Sequence, residues 1–300
     1  MKAKALPSKE FLETLDRVKK KEEEHVEEQK ELAVRIASTN VDKVSWKADR
    51  RMTAYPLFAP DKRNRNDIFE YTSPDGKYKI TVLPHPKLGR AKVWDADVFT
   101  YFLSRAYEGY QVTKHVPHKI ETTSYQVLKS LGKEPKSGKN NEWLRNAIRR
   151  LGATYYQANI FDGVRGGEKG FHLLDYHFEE ETINGKKIIG KIVIQFNSEL
   201  VDCWINDIKH ILSLPNRVLE ECLKEQKSGL RKRLLLLIGT RLGNQDSICF
   251  SLENFKGLCG YTGENRRFKE AIKNIIPTLP WKIEFTKSAR AKSENVLIYQ

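Results

Sequence analysis

The chain has 300 residues, 39% of them hydrophobic and 31% charged, so it can hold two domains around a substantial core. It has no run of 18 apolar residues and no apolar segment near its start, which argues against a membrane-spanning helix or signal peptide and predicts a cytoplasmic protein. The net charge is +14, and because residues 1–37 are neutral overall, the excess lies in residues 38–300 and favours a polyanionic partner.

The N-terminal segment, residues 1–40, is predicted to be a charged helix. Residues 8–37 contain no proline or glycine, and their apolar residues follow a heptad spacing. The middle positions of that seam are polar, however: Glu22, His25 and Gln29. A stable coiled coil is therefore not expected, and a homodimer formed through this helix is left open.

The next segment, residues 41–66, is rich in lysine and arginine and contains Pro56 and Pro60, which discourage helix. It is predicted to be a basic extended arm or linker. Beyond it, Ile68–Thr72 and Tyr78–Leu83 flank the turn sequence Ser-Pro-Asp-Gly and predict a β-hairpin.

A second group of elements follows in an order typical of a winged helix: helix, short strand, helix, helix and β-hairpin. The helix caps and the apolar spacing predict these limits. The predicted elements are Trp94–Glu108, Lys119–Glu121, Tyr125–Leu131, a helix in residues 140–151, and the strands Ala153–Phe161 and Phe171–Phe178. The glycine-rich loop DGVRGGEKG is predicted to form the tip of the wing.

The same order recurs in the last third of the chain. The predicted elements there are Leu230–Leu242, Ser247–Phe250, Leu252–Leu258, Asn265–Ile276, Trp281–Lys287 and Val296–Tyr299. LRNAIRRL at 144–151 matches FKEAIKNI at 268–275, with the apolar, Ala and Ile positions coinciding. This internal repeat predicts an α+β protein with tandem winged-helix domains, residues 67–205 and 206–300.

The third helix of a winged helix enters the major groove, where arginine can bind guanine and asparagine can bind adenine through two atoms each. The predicted DNA-contacting residues on the two third helices are Asn140, Asn141, Arg145, Arg149, Arg150, Asn265, Arg266, Arg267, Lys269 and Lys273. The wings and the start of the helix at 230–242 add cations for phosphate contacts. They are Arg165, Lys169, Lys287, Arg290, Lys292, Arg231 and Lys232. For each of these residues taken alone, a solvated helix face is the better explanation, and only their joint occurrence on both third helices and both wings favours DNA binding. A basic surface kept for solubility is the alternative to DNA binding.

Nothing in the sequence predicts an enzyme, a metal site or a cofactor. The four cysteines lack CxxC spacing and are predicted to be buried thiols. Tyr155 and Tyr156 are predicted to pack in a strand, although a tyrosine-dependent DNA-nicking enzyme stays as the less favoured alternative. A winged-helix transcriptional repressor is the other alternative, because its DNA-binding surface would look the same.

Several segments resemble the plasmid replication initiator protein A family. They are ITVLPHPKLGRAKVWDADVFTYFLSRA (80–106), TTSYQVLKSLG (122–132), LRNAIRRLGATYYQANI (144–160), NGKKIIGKIVIQFNSEL (184–200) and SLENFKGLCGYTGENRRFKEAIKNI (251–275). The resemblance implies an initiator that binds repeated sites in double-stranded plasmid origin DNA, opens adjacent DNA without its own ATPase and recruits host replication proteins. It also implies that Asn141, Arg145, Arg149, Arg266, Arg267 and Lys273 contact bases or phosphates.

Overall fold

The structure is a computed structural model, and it describes residues 9–41, 43–161, 167–183, 186–213, 216–287 and 294–300. The helices within these ranges are α1 Lys9–Ser38, α2 Arg50–Ala54, α3 Asp95–Thr113, α4 Ser124–Ser130, α5 Gly138–Ala153, α6 Ser198–Asn206, α7 Asn216–Lys224, α8 Gly229–Leu242, α9 Leu252–Leu258 and α10 Asn265–Ile275. The strands are β1 Ala48–Asp49, β2 Phe69–Thr72, β3 Lys79–Leu83, β4 Ile120–Thr122, β5 Tyr155–Ala158, β6 Lys169–His172, β7 Leu174–Ile183, β8 Lys186–Phe196, β9 Ile211–Leu212, β10 Ser247–Ser251, β11 Lys282–Lys287 and β12 Glu294–Tyr299.

Two units of this mixed α and β fold have the same plan. The first unit consists of α3, β4, α4, α5, β7 and β8, and its sheet has the order β4-β8-β7. The second unit consists of α8, β10, α9, α10, β11 and β12, and its sheet has the order β10-β12-β11. In both sheets the last strand lies between the other two and pairs antiparallel with each.

The second helix of each unit begins and ends in the same way. The Thr123 hydroxyl accepts a hydrogen bond from the backbone of α4, and Ser251 does the same for α9, as expected of N-cap residues. Just beyond the two helices, Gly132 and Gly260 have φ angles of +66° and +68°. Glycine adopts this left-handed conformation without strain, so it suits the position after a helix end. These caps confirm the local similarity that the repeat predicts.

The wing assigned from sequence to the first unit is wrong. Strands β5 and β6 belong to a separate four-stranded sheet with the order β2-β3-β5-β6. There Tyr156 lies opposite Val82 of the predicted hairpin and opposite Phe171. The hairpin beside α5 is instead formed by β7 and β8. The spacing located strands in both segments, but the predicted strand Phe171–Phe178 spans β6 and the start of β7, which lie in different sheets. Spacing also carries no information about which strands pair.

The prediction of an extended arm is wrong for residues 48–59, most of which are buried. The Asp49 carboxylate caps α2 by accepting the N–H groups of Arg51 and Met52, and it also binds the Arg51 guanidinium at 2.8 Å. The Trp204 indole N–H donates to the same carboxylate at 2.8 Å. The segment therefore anchors α6 to the core instead of lying free on the surface.

The long helix predicted for residues 8–37 is confirmed as α1, whose residues 16–28 are exposed. Its last turn packs on α3, where Gly109 lies so close that a Cβ atom would be 2.7 Å from the Ala33 carbonyl oxygen. The buried Arg105 guanidinium donates to the carbonyl groups of Ile36, Ala37 and Thr39. It thus neutralises the partial negative charge at the C-terminal end of α1.

The two units share one continuous apolar core, which includes Phe102 and Leu151 of the first unit and Phe255 and Ile298 of the second. Polar contacts also join the units, because Trp94 donates its indole N–H to the Glu225 carbonyl oxygen at 3.0 Å. The units are therefore packed against each other, without a free linker between them.

Candidate nucleic-acid interface

Helix α5 presents one apolar face to the core and a cationic face outward. Leu144, Ala147 and Ile148 are fully buried, and their helical spacing turns Arg145 and Arg149 away from the core. Both arginines are half-buried. In the part of the chain that the structure describes, Arg149 has no carboxylate partner, so its guanidinium can receive an anion.

The other outward arginine, Arg145, contacts two side chains of strand β7. Its guanidinium lies 2.8 Å from the Glu180 carboxylate and 5.4 Å from the centre of the Phe178 ring. This ion pair is partly exposed, so a competing phosphate can replace Glu180 at modest cost. The contact also places Arg145 where the hairpin β7–β8 meets the third helix.

The two asparagines at the start of α5 hold the preceding loop against the first turn of the helix, whose N-cap is Ser137. The Asn140 amide donates to the Glu134 carbonyl oxygen at 3.0 Å. The Asn141 amide donates to the carbonyl oxygens of Pro135 and Ser137 at 2.7 and 2.9 Å. Reading adenine requires one amide N–H and the side-chain oxygen, so Asn141, whose amide makes two hydrogen bonds, would have to break one of them before it could do so.

The prediction that Arg150 faces solvent is wrong. It is 8% exposed, and its guanidinium donates two hydrogen bonds of 2.7 Å to the Asp95 carboxylate at the start of α3. Burial raises the pKa of Asp95, while the paired guanidinium opposes that rise. Arg150 is therefore a structural residue that ties α5 to α3. In the sequence, such a pair is indicated by an acidic residue at the start of one helix and an arginine near the end of another.

Helix α10 is shorter and more open than α5. Phe268 and Ile272 are fully buried, whereas Arg266, Arg267 and Lys273 are exposed. Within the described residues, the only ion pair that these three cations form joins Arg266 to Glu270, at 3.8 Å on the exposed surface. Such exposed pairs contribute little, so all three cations are available to a ligand.

Two further predicted residues on α10 already have partners. The Lys269 ammonium lies 2.7 Å from the Glu294 carboxylate and above the ring of Phe285. The Asn265 side-chain oxygen accepts a hydrogen bond of 2.6 Å from Lys256. Both contacts tie α10 to its neighbours, β12 and α9.

The phosphate-binding role predicted for Lys232 is wrong, because its side chain is fully buried. Its ammonium lies 2.8 Å from the Asp97 carboxylate of α3 and also donates to the Cys222 carbonyl oxygen. Arg231 is mostly buried as well, with its guanidinium 2.9 Å from Glu221 and 3.0 Å from Glu225. Both cations are therefore engaged within the fold, where Lys232 joins α8 to α3 and Arg231 joins α8 to α7.

The structure tests two of the five cations that the sequence assigns to the wings. Lys169 lies on β6 in the four-stranded sheet, with its ammonium 2.6 Å from the Glu199 carboxylate, so its assignment to a wing is wrong. Lys287 is exposed at the end of β11, beside the tip of the second hairpin. Arg165, Arg290 and Lys292 lie outside the described residues.

Four lysines that sequence reasoning did not select gather in a cleft of about 500 Å³ beside the start of α5. They are Lys62, Lys92, Lys133 and Lys139. Lys62 comes from the segment predicted to be an arm, and the others come from three different loops or helix starts. Because they are far apart in sequence, only their folded positions bring them together.

The structure does not favour Tyr156 as the nucleophile of a DNA-nicking enzyme. Its side chain is fully buried, and that burial raises the pKa of its hydroxyl group. A buried phenol cannot reach a DNA phosphodiester. Tyr155 is half-buried and packs edge-on against His172 at 5.1 Å. Among the cysteines, Cys203, Cys222 and Cys259 are buried as predicted, but Cys249 is exposed.

A model of the family described as Replication initiator protein A matches residues 47–280. The chain belongs to this family. It is also 28% identical over 229 residues to the "Putative replication protein" of Wigglesworthia glossinidia brevipalpis. The aligned region covers 74% of this chain and 77% of that relative. The family supports a role in the initiation of plasmid replication.

The solved structure of domains 2 and 3 of RctB has a similar fold. It superposes with a TM-score of 0.55 at 15% identity, and the match covers 83% of this chain and 98% of that one. At this level of identity the likeness concerns the fold alone. None of the helices formed by the described residues is both long enough and apolar enough to cross a membrane.

Proposed function

We propose that this protein initiates plasmid replication by binding double-stranded origin DNA through two winged-helix units. The observation that supports this most is the duplicated plan of helix, strand, helix, helix and hairpin, with outward cations on both third helices. A third helix of this kind fits the major groove, which admits one helix. The division at residues 67–205 and 206–300 belongs to the same proposal.

In the proposed complex, Arg145 and Arg149 of α5 contact the duplex together with Arg266, Arg267 and Lys273 of α10. These are the predicted cations of the two third helices that remain once the buried Arg150 and the Glu294-bound Lys269 are removed. Lys287 at the end of β11 would contact phosphate. Because each phosphate contact releases condensed counterions, affinity should fall steeply as salt increases.

The proposed mechanism draws on binding energy and needs no ATPase in this chain. Several copies bound at neighbouring repeats would bend and untwist the DNA, and that deformation would lower the cost of opening an adjacent A·T-rich segment. Host replication proteins would then load on the opened DNA in the cytoplasm. The exposed part of α1, residues 16–28, is available for contacts with such partners or with a second copy.

Selection of bound fragments tests this function. Purified protein is mixed with sheared DNA of the plasmid that carries its gene, and the retained fragments are sequenced. We expect enrichment of one region containing repeats, and we expect a plasmid lacking those repeats to fail to replicate. No enrichment would contradict DNA binding. Enrichment with normal replication after deletion of the gene would instead support a repressor.

A further inference from the structure

The lysine cleft beside α5 carries more positive charge than its surroundings balance. Asp95 is the one acidic residue among its described lining residues, and Arg150 already neutralises it with two hydrogen bonds. The four lysines named above therefore leave the cleft with an uncompensated charge. No described carboxylate lies within ion-pair distance of their ammonium groups.

Two of these ammonium groups are held by neutral acceptors. Lys92 donates to the Lys62 carbonyl oxygen at 2.6 Å and to the Asn64 side-chain oxygen at 2.9 Å, and Lys133 donates to the Gln226 side-chain oxygen at 3.0 Å. Burial lowers the pKa of both Lys92 and Lys133. By contrast, the ammonium groups of the partly buried Lys119, Lys191 and Lys269 each lie within 3.0 Å of a carboxylate. A cleft that holds such unpaired cations in place is suited to an anion.

The tryptophans of the cleft favour a phosphate over a nucleic-acid base. The Lys133 ammonium lies 4.4 Å from the centre of the Trp143 ring, and the Lys62 ammonium lies 5.7 Å from that of Trp94. Trp94 is only 5% exposed. A stacked base needs an open aromatic face. Here an ammonium group lies over the ring of each tryptophan, so a ligand in the cleft would meet the ammonium groups.

The position of the cleft indicates the source of the phosphate. Lys139, Trp143 and Asn146 line it from one side of α5, at a helical spacing of three to four residues. Arg149 lies on the adjoining outward side of the same helix. A DNA strand that contacts Arg149 would thus pass beside the mouth of the cleft.

We propose that Lys62, Lys92, Lys133 and Lys139 form a backbone clamp that holds phosphates of the duplex bound by α5. This inference rests on the proposed function and adds a site to it. The clamp contacts no base, so it strengthens binding to every sequence alike and fixes the register of α5. It also joins the units, since Gln226, just before α8, orients Lys133.

The test uses the exposed members of the clamp, because Lys62 and Lys139 are exposed and make no ion pair with described carboxylates. The double variant Lys62→Gln/Lys139→Gln is compared with Lys19→Gln/Lys21→Gln on the exposed part of α1, which loses the same charge. Affinity for an origin fragment and for an unrelated duplex is measured between 50 and 200 mM salt, a range in which phosphate contacts dominate the change.

We expect the clamp variant to bind both duplexes roughly 10-fold more weakly and to lower the slope of log affinity against log salt by about 2, while the α1 variant stays near wild type. Equal slopes for both variants would overturn the proposal. Tripolyphosphate binding that requires Lys62 and Lys139, with an unchanged DNA slope, would overturn it in favour of a free phosphate ligand. If wild-type protein binds no duplex, the proposed function itself fails.

Discussion

The two third helices follow one sequence pattern, yet they lie in different surroundings. Helix α5 is flanked by β7, by the lysine cleft and by the start of α3, and its arginines Arg145 and Arg150 are paired with carboxylates. Helix α10 has the second unit's own elements around it, and Arg266 and Arg267 are exposed. The two units therefore share a plan but not their surroundings, and the additional sheet of β2, β3, β5 and β6 reaches the second unit at α9, where the Tyr71 hydroxyl donates to the Asn254 side-chain oxygen at 2.9 Å.

This difference shows why basic residues cannot be counted as one class. In the first unit and at the contact between units, several cations are structural, whereas Arg266, Arg267 and Lys273 of α10 are open to a ligand. We therefore expect α10 to supply more of the sequence reading. We expect α5 to rely more on phosphate contacts.

The largest expected effect comes from breaking the contact that unites the two units. Lys232→Met leaves the Asp97 carboxylate buried without its partner, and such a loss typically costs about 3–5 kcal/mol. Denaturant unfolding should show this drop in the free energy of unfolding. The double variant Asp97→Leu/Lys232→Met removes both charges and should recover most of it. A loss below about 1 kcal/mol in the single variant would contradict a structural role.

A smaller effect should appear in the pH dependence of the same contact. Burial raises the pKa of Asp97 to about 6, compared with about 4 in an unfolded chain. Because the folded state holds this proton more tightly, the resulting stability is complete below about pH 4 and is lost as the pH rises through about 6.

Unfolding of wild type and of the double variant at pH 4 and pH 7 measures this loss. The free energy of unfolding of the wild type relative to the variant should fall by at most about 3 kcal/mol over that range. The same difference at both pH values would show that Asp97 does not titrate in this window.

The smallest expected effect comes from removing the ion pair that holds Arg145 of α5, since it would leave Arg145 as free to bind DNA as the exposed arginines of α10. Glu180→Gln releases Arg145 from its ion pair and removes a negative charge beside α5. Because the pair is partly exposed, we expect DNA affinity to rise only about threefold, in line with the modest energy of such pairs. The gain should vanish in Arg145→Ala/Glu180→Gln. A gain that persists in the double variant would mean that Arg145 does not contact DNA.

Local features of the fold were predictable because their signals lie close together in the chain. The capping residues Thr123 and Ser251, with Gly132 and Gly260 beyond the helix ends, fix the second helix of each unit. The length of α1 followed from the absence of glycine and proline in residues 8–37. These features also made the internal repeat visible.

Long-range pairing could not be predicted in this way. The spacing that places Arg150 and Lys232 on helices says nothing about Asp95 and Asp97, which reach them from 55 and 135 residues away. A single sequence makes a buried cation with a distant partner look like a solvated one. For the same reason the partners of β5 were missed, as was the lysine cleft.

The central claim is that each unit presents its third helix to DNA, and footprinting of one origin repeat tests it most directly. Hydroxyl-radical protection is compared for wild type, Arg145→Ala/Arg149→Ala and Arg266→Ala/Arg267→Ala. We predict two protected segments for wild type, about one helical turn of 10 base pairs apart, with each variant losing a different one. If both variants keep the wild-type pattern and affinity, the two third helices do not bind DNA.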